Sequence, residues 1–173
     1  MYENNEIYRA IQPNLAFERD SPRSGRAPQF YVRQSSFSPM TNELTKLLPE
    51  DKIDTDKAEA LIAMGFPAVE PVLPAMLEWM QDLNWPVAQV FRPFLAGIGA
   101  PLAPLVRNVL ATNDEVWKYW MLCSIIGGSL DLARVLKPEL ERIASAPTPG
   151  ESQEGLHTIA SQVLNWVRGE TQA

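Results

Sequence analysis

The chain has 173 residues, 46% of them hydrophobic, with a formal net charge of −6 and a pI of about 4.8. A domain near this size buries roughly 70% of the surface its unfolded chain exposes, so a real core is available and a disordered tail is excluded. The acidic balance argues against a nucleic-acid backbone as partner, because such proteins carry a basic footprint, and favours a basic protein.

Residues 1–40 differ from the rest. They hold Pro13, Pro22, Pro28 and Pro39, and five basic residues (Arg9, Arg19, Arg23, Arg26, Arg33) against four acidic ones (Glu3, Glu6, Glu18, Asp20). That net of +1 leaves −7 on the stretch from Thr41 to Ala173. Ile7, Tyr8, Ile11, Leu15 and Phe17 fit a short amphipathic helix, and "QFYV" an extended piece. The segment reads as a loop-rich arm, partly docked, or as one that orders on meeting a partner. No basic start followed by an apolar stretch suggests a signal peptide, and no 18 apolar residues run together. The expectation is a soluble cytoplasmic protein. Cys123, the sole cysteine, lies in "WMLCSII" and reads as a small buried hydrophobe in a reducing compartment.

From Thr41 onward apolar residues recur at spacings of three and four, which predicts helix throughout. "IDTDKAEALIAMG" has Asp54 or Thr55 as N-cap and Gly65 just past its end. "FPAVEPVLPAMLEWMQD" follows, with Pro67 near its first turn. "NWPVAQVFRPFLAGIG" starts from Asn84, with Pro86 in the opening turn. "APLAPLVRNVLAT" comes next. "NDEVWKYWMLCSIIGG" begins at Asn113 or Asp114 and ends at a glycine pair. On its wheel both tryptophans, Trp117 and Trp120, face the core, while Glu115 and Lys118 face solvent. "SLDLARVLKPELERIAS" starts from Ser129, and a last helix lies in "ESQEGLHTIASQVLNWVRG".

The helices echo one another. "GFPAVEPVL" from Gly65 and "GAPLAPLVR" from Gly99 both read Gly-x-Pro before an apolar helix. Trp85 and Trp117 each fall just inside a helix, at nearly the same interval. Two-helix units recurring at such an interval mark an α-solenoid. Pro71, Pro74, Pro93, Pro104 and Pro138 lie inside or near the start of helical patterns, where each interior proline costs roughly 3 kcal/mol and bends the helix. "GFPAVEPVLPAML" resembles the second helix of a HEAT repeat. The combination of "LLPEDK", "NWPVA" and "WKYW" resembles a family of small bacterial domains of unknown function over about residues 45–145. That resemblance implies a HEAT-like helical bundle in a bacterial cytoplasm. By analogy it implies an immunity protein encoded beside a secreted toxin, although fold alone does not give function.

No catalytic constellation assembles. His157, the sole histidine, has no partner at metal-ligand spacing. Ser124 and Ser129 near "IIGGS" sit at a helix end and a cap, unlike a nucleophile elbow. Gly127-Gly128 is not followed by Gly-Lys-Ser/Thr. The run "PEDKIDTDKAE" lacks the positions and central glycine of a calcium loop, and reads as a solvated turn before a capped helix. No cofactor or metal is expected. On the helix beginning at Pro67, Glu70, Glu78 and Asp82 fall at i, i+8 and i+12, on one stripe opposite an apolar face. The second helices of the following pairs add Arg107, Asn108, Arg134 and Glu141.

The expectation is therefore an all-α, HEAT-like solenoid or superhelical bundle of about seven helices over residues 41–173, preceded by an irregular arm over residues 1–40. Its expected role is non-catalytic binding of a basic protein, with an immunity protein against a toxin, such as a nuclease effector, as the specific form. Neither nucleic acid nor membrane is an expected partner. An adaptor or chaperone for secretion cargo and a divergent enzyme stand as alternatives.

Overall fold

The computed structural model describes residues 39–171, so the arm assigned to residues 1–40 lies outside the described residues apart from its last two. Ten α-helices are found among the described residues, with no β-strand: α1 Pro39–Lys46, α2 Thr55–Met64, α3 Leu73–Glu78, α4 Pro86–Ile98, α5 Ala103–Leu110, α6 Glu115–Trp120, α7 Leu130–Val135, α8 Lys137–Ser145, α9 Pro149–Gln153 and α10 Leu156–Thr171. Short 3-10 turns precede α3 and α5 and follow α3, and a π-helical stretch, Met121–Ile126, continues α6. No single helix among the described residues is long and apolar enough to cross a membrane.

The count exceeds seven because two expected helices are split and α1 has no counterpart in the sequence expectation. "SLDLARVLKPELERIAS" breaks at Leu136, where Pro138 falls in the first turn of α8 and supplies no amide hydrogen. The last expected helix breaks at Gly155, whose φ of 71° is open to glycine at little cost. The predicted caps hold where chemistry fixed them. Gly65 closes α2 at φ 73°, with its N–H on the Ile62 carbonyl, and Asp114 opens α6 by accepting the Trp117 N–H at 3.0 Å.

Prolines sort themselves by position. Pro71 lies in the 3-10 turn Glu70–Val72 and Pro74 in the first turn of α3; Pro101 and Pro104 repeat this in the turn Ala100–Leu102 and in α5. The local repeat therefore matches Pro71 with Pro101 and Pro74 with Pro104, and not Gly65 with Gly99 as the Gly-x-Pro echo suggested. Among the described helices only Pro93, in α4, is interior. The other prolines sit where the N–H would be unsatisfied anyway, so the bending expected of them is not needed.

The described residues form two compact units, 39–94 and 95–171, divided within α4. In the first, Leu61, Val72, Leu73, Met76, Leu77, Trp79, Met80 and Phe91 are among the buried side chains. Trp79 and Trp85 meet edge to face with centroids 5.7 Å apart. The Val87 N–H on the Lys52 carbonyl ties the loop before α2 to the start of α4.

In the second unit α10 packs along α8 and also touches α6, α7, α9 and the π stretch. Leu156, Ala160 and Val163 of α10 are fully buried, as are Leu140 and Ile143 of α8 and Met121, Leu122, Ile125 and Ile126 of the π stretch. The π turn closes with the Gly127 N–H on the Leu122 carbonyl at 2.9 Å. Gly128 matters for close approach: a Cβ there would stand 2.6 Å from the Ser124 carbonyl oxygen and 3.1 Å from the Ala96 Cβ. Gly128→Ala should therefore cost about 1–3 kcal/mol. Urea unfolding would reveal it as a lowered midpoint with an unchanged slope.

Candidate interaction surface

Three groups suited to chemistry, Cys123, Ser124 and Lys118, are engaged by the fold. Burial pushes the Cys123 thiol up to about 12, and a hydrogen bond with Tyr119 offsets only part of that. The Ser124 hydroxyl donates to the Trp120 carbonyl. Lys118 reverses the sequence expectation: it is 3% exposed, not solvent-facing, and its neighbour Glu115 is mostly covered. The two tryptophans beside it, Trp117 and Trp120, are half-buried rather than sealed in the core.

Lys118 belongs to an ion cluster centred on Glu151, which is 0% exposed. Arg142 donates to Glu151 through both terminal nitrogens, at 2.5 Å to Oε2 and 2.7 Å to Oε1. Lys118 Nζ reaches Oε1 at 3.2 Å and Glu115 Oε1 at 3.5 Å. The Thr148 N–H donates to Oε2 at 2.9 Å, and the Glu151 N–H returns to Thr148 Oγ1, a capping box that opens α9. Four donors thus hold one carboxylate and join α6, α8 and α9. The Arg142 guanidinium, with the Thr148 amide and Lys118, holds Glu151 down at about 2 despite its burial.

The seven predicted surface residues divide between the two units. Glu70, Glu78 and Asp82 do not share a helical stripe, because the stretch is 3-10, then α, then 3-10, and Asp82 is extended at φ −148°. Asp82 accepts the Asn84 N–H and side-chain amide, both at 2.9 Å, in the turn before α4. In the second unit Arg107 donates Nε to Glu139 at 2.6 Å and Nη2 to the Val135 carbonyl at 3.1 Å, so it caps the end of α7 and meets an acid in the first turn of α8. Arg134 pairs with Asp131 at 3.5 Å and Glu141 with Lys137 at 3.7 Å, while Asn108 is exposed.

The charge is unevenly shared. Residues 41–94 hold nine acidic side chains against four basic, a net of −5; residues 95–173 hold eight against six, a net of −2. In the first unit Lys57 serves both Glu50 and Asp54, and Lys46 serves Glu43. Asp56, Glu59 and Glu70 are exposed and have no cation partner among the described residues. Sequence reasoning passes over Asp56 and Glu59, because a capped helix start explains them equally well. Glu78 ends α3 half-buried, and burial alone raises its carboxyl to about 6.

A family model described as "Domain of unknown function (DUF5071)" matches residues 47–164. The chain belongs to this family. No curated protein matches it. The family span contains the Glu151 cluster, the unpaired acids of the first unit and all seven predicted surface residues. It covers nearly all of the stretch, about 45–145, on which the sequence resemblance rested and extends it through α9 into α10.

Two variants separate the buried and half-buried carboxylates. Glu151→Gln should cost about 3–5 kcal/mol at neutral pH, because buried Lys118 keeps only the longer contact with Glu115 and Arg142 loses the charge it is paired with. With a folded value of about 2 against an ordinary 4.5, the Glu151 contribution, about 3 kcal/mol, is complete above pH 4.5 and is lost as pH falls toward 2. Denaturant midpoints across that range test it. Glu78→Gln should do the reverse. A carboxyl raised to about 6 by folding makes stability fall as pH rises from 4.5 to 6. The glutamine variant should therefore gain about 1 kcal/mol at pH 7, after allowance for solvent screening of a half-buried group, and nothing near pH 4.

Proposed function

We propose that this chain is a non-catalytic binding module for a basic protein, and in its specific form an immunity protein that sits on a toxin encoded beside it. The observation that carries this reading is the one-sided charge of the first unit: Asp56, Glu59 and Glu70 stand exposed without cations among the described residues. Unpaired surface charge of one sign steers a partner of the other sign and speeds its docking. A nuclease toxin suits this, since a surface that holds phosphates is basic. The reading includes a HEAT-like order of helices, supported by the recurring proline-marked helix starts at Pro71 and Pro101, and by the sequence resemblance.

The test is co-expression with the product of each neighbouring gene. One of them should arrest growth alone, be neutralised by this chain, and co-purify with it. The double variant Asp56→Lys/Glu70→Lys should fold normally and bind that partner at least tenfold more weakly, with a flatter dependence on salt. Unchanged affinity, or neutralisation of unrelated toxins to the same degree, would sink the reading.

A further inference from the structure

Between Ala60 and Leu77 the chain carries a single charged residue, Glu70. The fold does not bury all of this apolar stretch. Leu61, Val69, Val72 and Leu73 go inward, while Met64 stays 45% and Phe66 39% exposed, and Ala63, Pro67, Ala68 and Pro71 are exposed with them. Gly65 sets this outcome. Its φ of 73° ends α2 and reverses the chain, so Met64 and Phe66 flank the bend. Three backbone bonds close the bend: the Gly65 N–H on Ile62, the Val69 N–H on Gly65 and the Glu70 N–H on Pro67, at 3.0, 3.2 and 3.0 Å. The knuckle is thus held in shape before anything binds, which lowers the ordering cost of binding.

A contiguous exposed apolar patch on a small protein marks an interaction site. The exposed charges beside it that have no ion partner among the described residues are acidic, while the nearest cation, Lys57, is engaged by Glu50 and Asp54. Glu59 lies one helical turn before Ala63 on the outer face of α2, Asp56 one turn before Ala60, and Glu70 follows the bend. A membrane with anionic headgroups is repelled by such a border. A protein segment with apolar side chains flanked by arginine or lysine is matched by it on both counts.

We infer that the Met64–Phe66–Pro67 knuckle is the anchor of the binding face, and that it takes an apolar segment of the partner bordered by basic residues. This rests on the basic-partner reading above and adds the apolar anchor to it.

Methyl NMR of the full chain, labelled at methionine, tests the anchor directly, because Met64 is exposed while Met76, Met80 and Met121 are fully buried and serve as internal controls. The probe is a synthetic amphipathic helix of leucine and arginine. One control replaces every arginine by glutamate, and the other every leucine by serine. The Met64 methyl should shift with the probe and not with either control, while the three buried methyls stay still. Phe66→Ser should weaken the probe at least tenfold, and so should Glu59→Lys/Glu70→Lys.

Four outcomes overturn the anchor: no shift of Met64, an equal shift with the glutamate peptide, a shift on concentrating the protein alone, or shielding of Met64 from a soluble paramagnet before any peptide is added. The two readings fail differently. If charge reversal abolishes binding and Phe66→Ser does not, the anchor falls and the basic partner stands. If neither variant matters, both fall.

Discussion

Proline has no amide hydrogen to give, and that constraint organises the described fold. A helix leaves its first amides unsatisfied, so its opening turn is the place where a missing N–H costs little. Pro71 and Pro74, Pro86, Pro101 and Pro104, Pro138 and Pro149 all stand in opening turns. Each one fixes where a helix begins and forces the preceding segment to stop. The chain is cut into short helices at these points, and the core is assembled from pieces mostly of five to ten residues. Positive-φ glycines at 65, 99 and 155 complete the segmentation by turning the chain between pieces.

Much of this is legible in the sequence because it is local. Helix content, the cap at Gly65 and the start at Asp114 rest on chemistry within a few residues, and spacing reports that faithfully. The break at Leu136 is written in Pro138 but is hidden by an apolar period that runs straight through it. The echo between Gly65 and Gly99 misleads for a related reason. The two glycines look alike in sequence, yet the bend Phe66–Val69 separates Gly65 from its 3-10 turn, while Gly99 leads straight into Ala100–Leu102. The structural repeat is carried by the prolines beyond them.

The ion cluster is harder to read. Lys118 shares a helical stripe with Leu122 and Ile125, and Thr148-x-x-Glu151 spells a capping box, so both clues are present. What no local pattern supplies is their meeting across 33 residues of sequence, which depends on how α6, α8 and α9 pack. The acidic surface is visible as composition alone. Which acids are spent on lysines and which stand free is a matter of tertiary geometry. The two units use charge differently as a result. In one, a carboxylate is buried and saturated with donors to hold helices together. In the other, exposed carboxylates precede and follow an apolar bend along the chain.

The sole cysteine has a consequence for how the folded chain meets an oxidant. Cys123 is buried within the π stretch, burial pushes its thiol up to about 12, and the sequence offers no second cysteine to meet it. Its burial keeps it from pairing with a thiol of another molecule while the fold holds. The cysteine of the folded chain is thus shielded from an oxidant, whereas the exposed Met64 thioether is open to conversion to the sulfoxide.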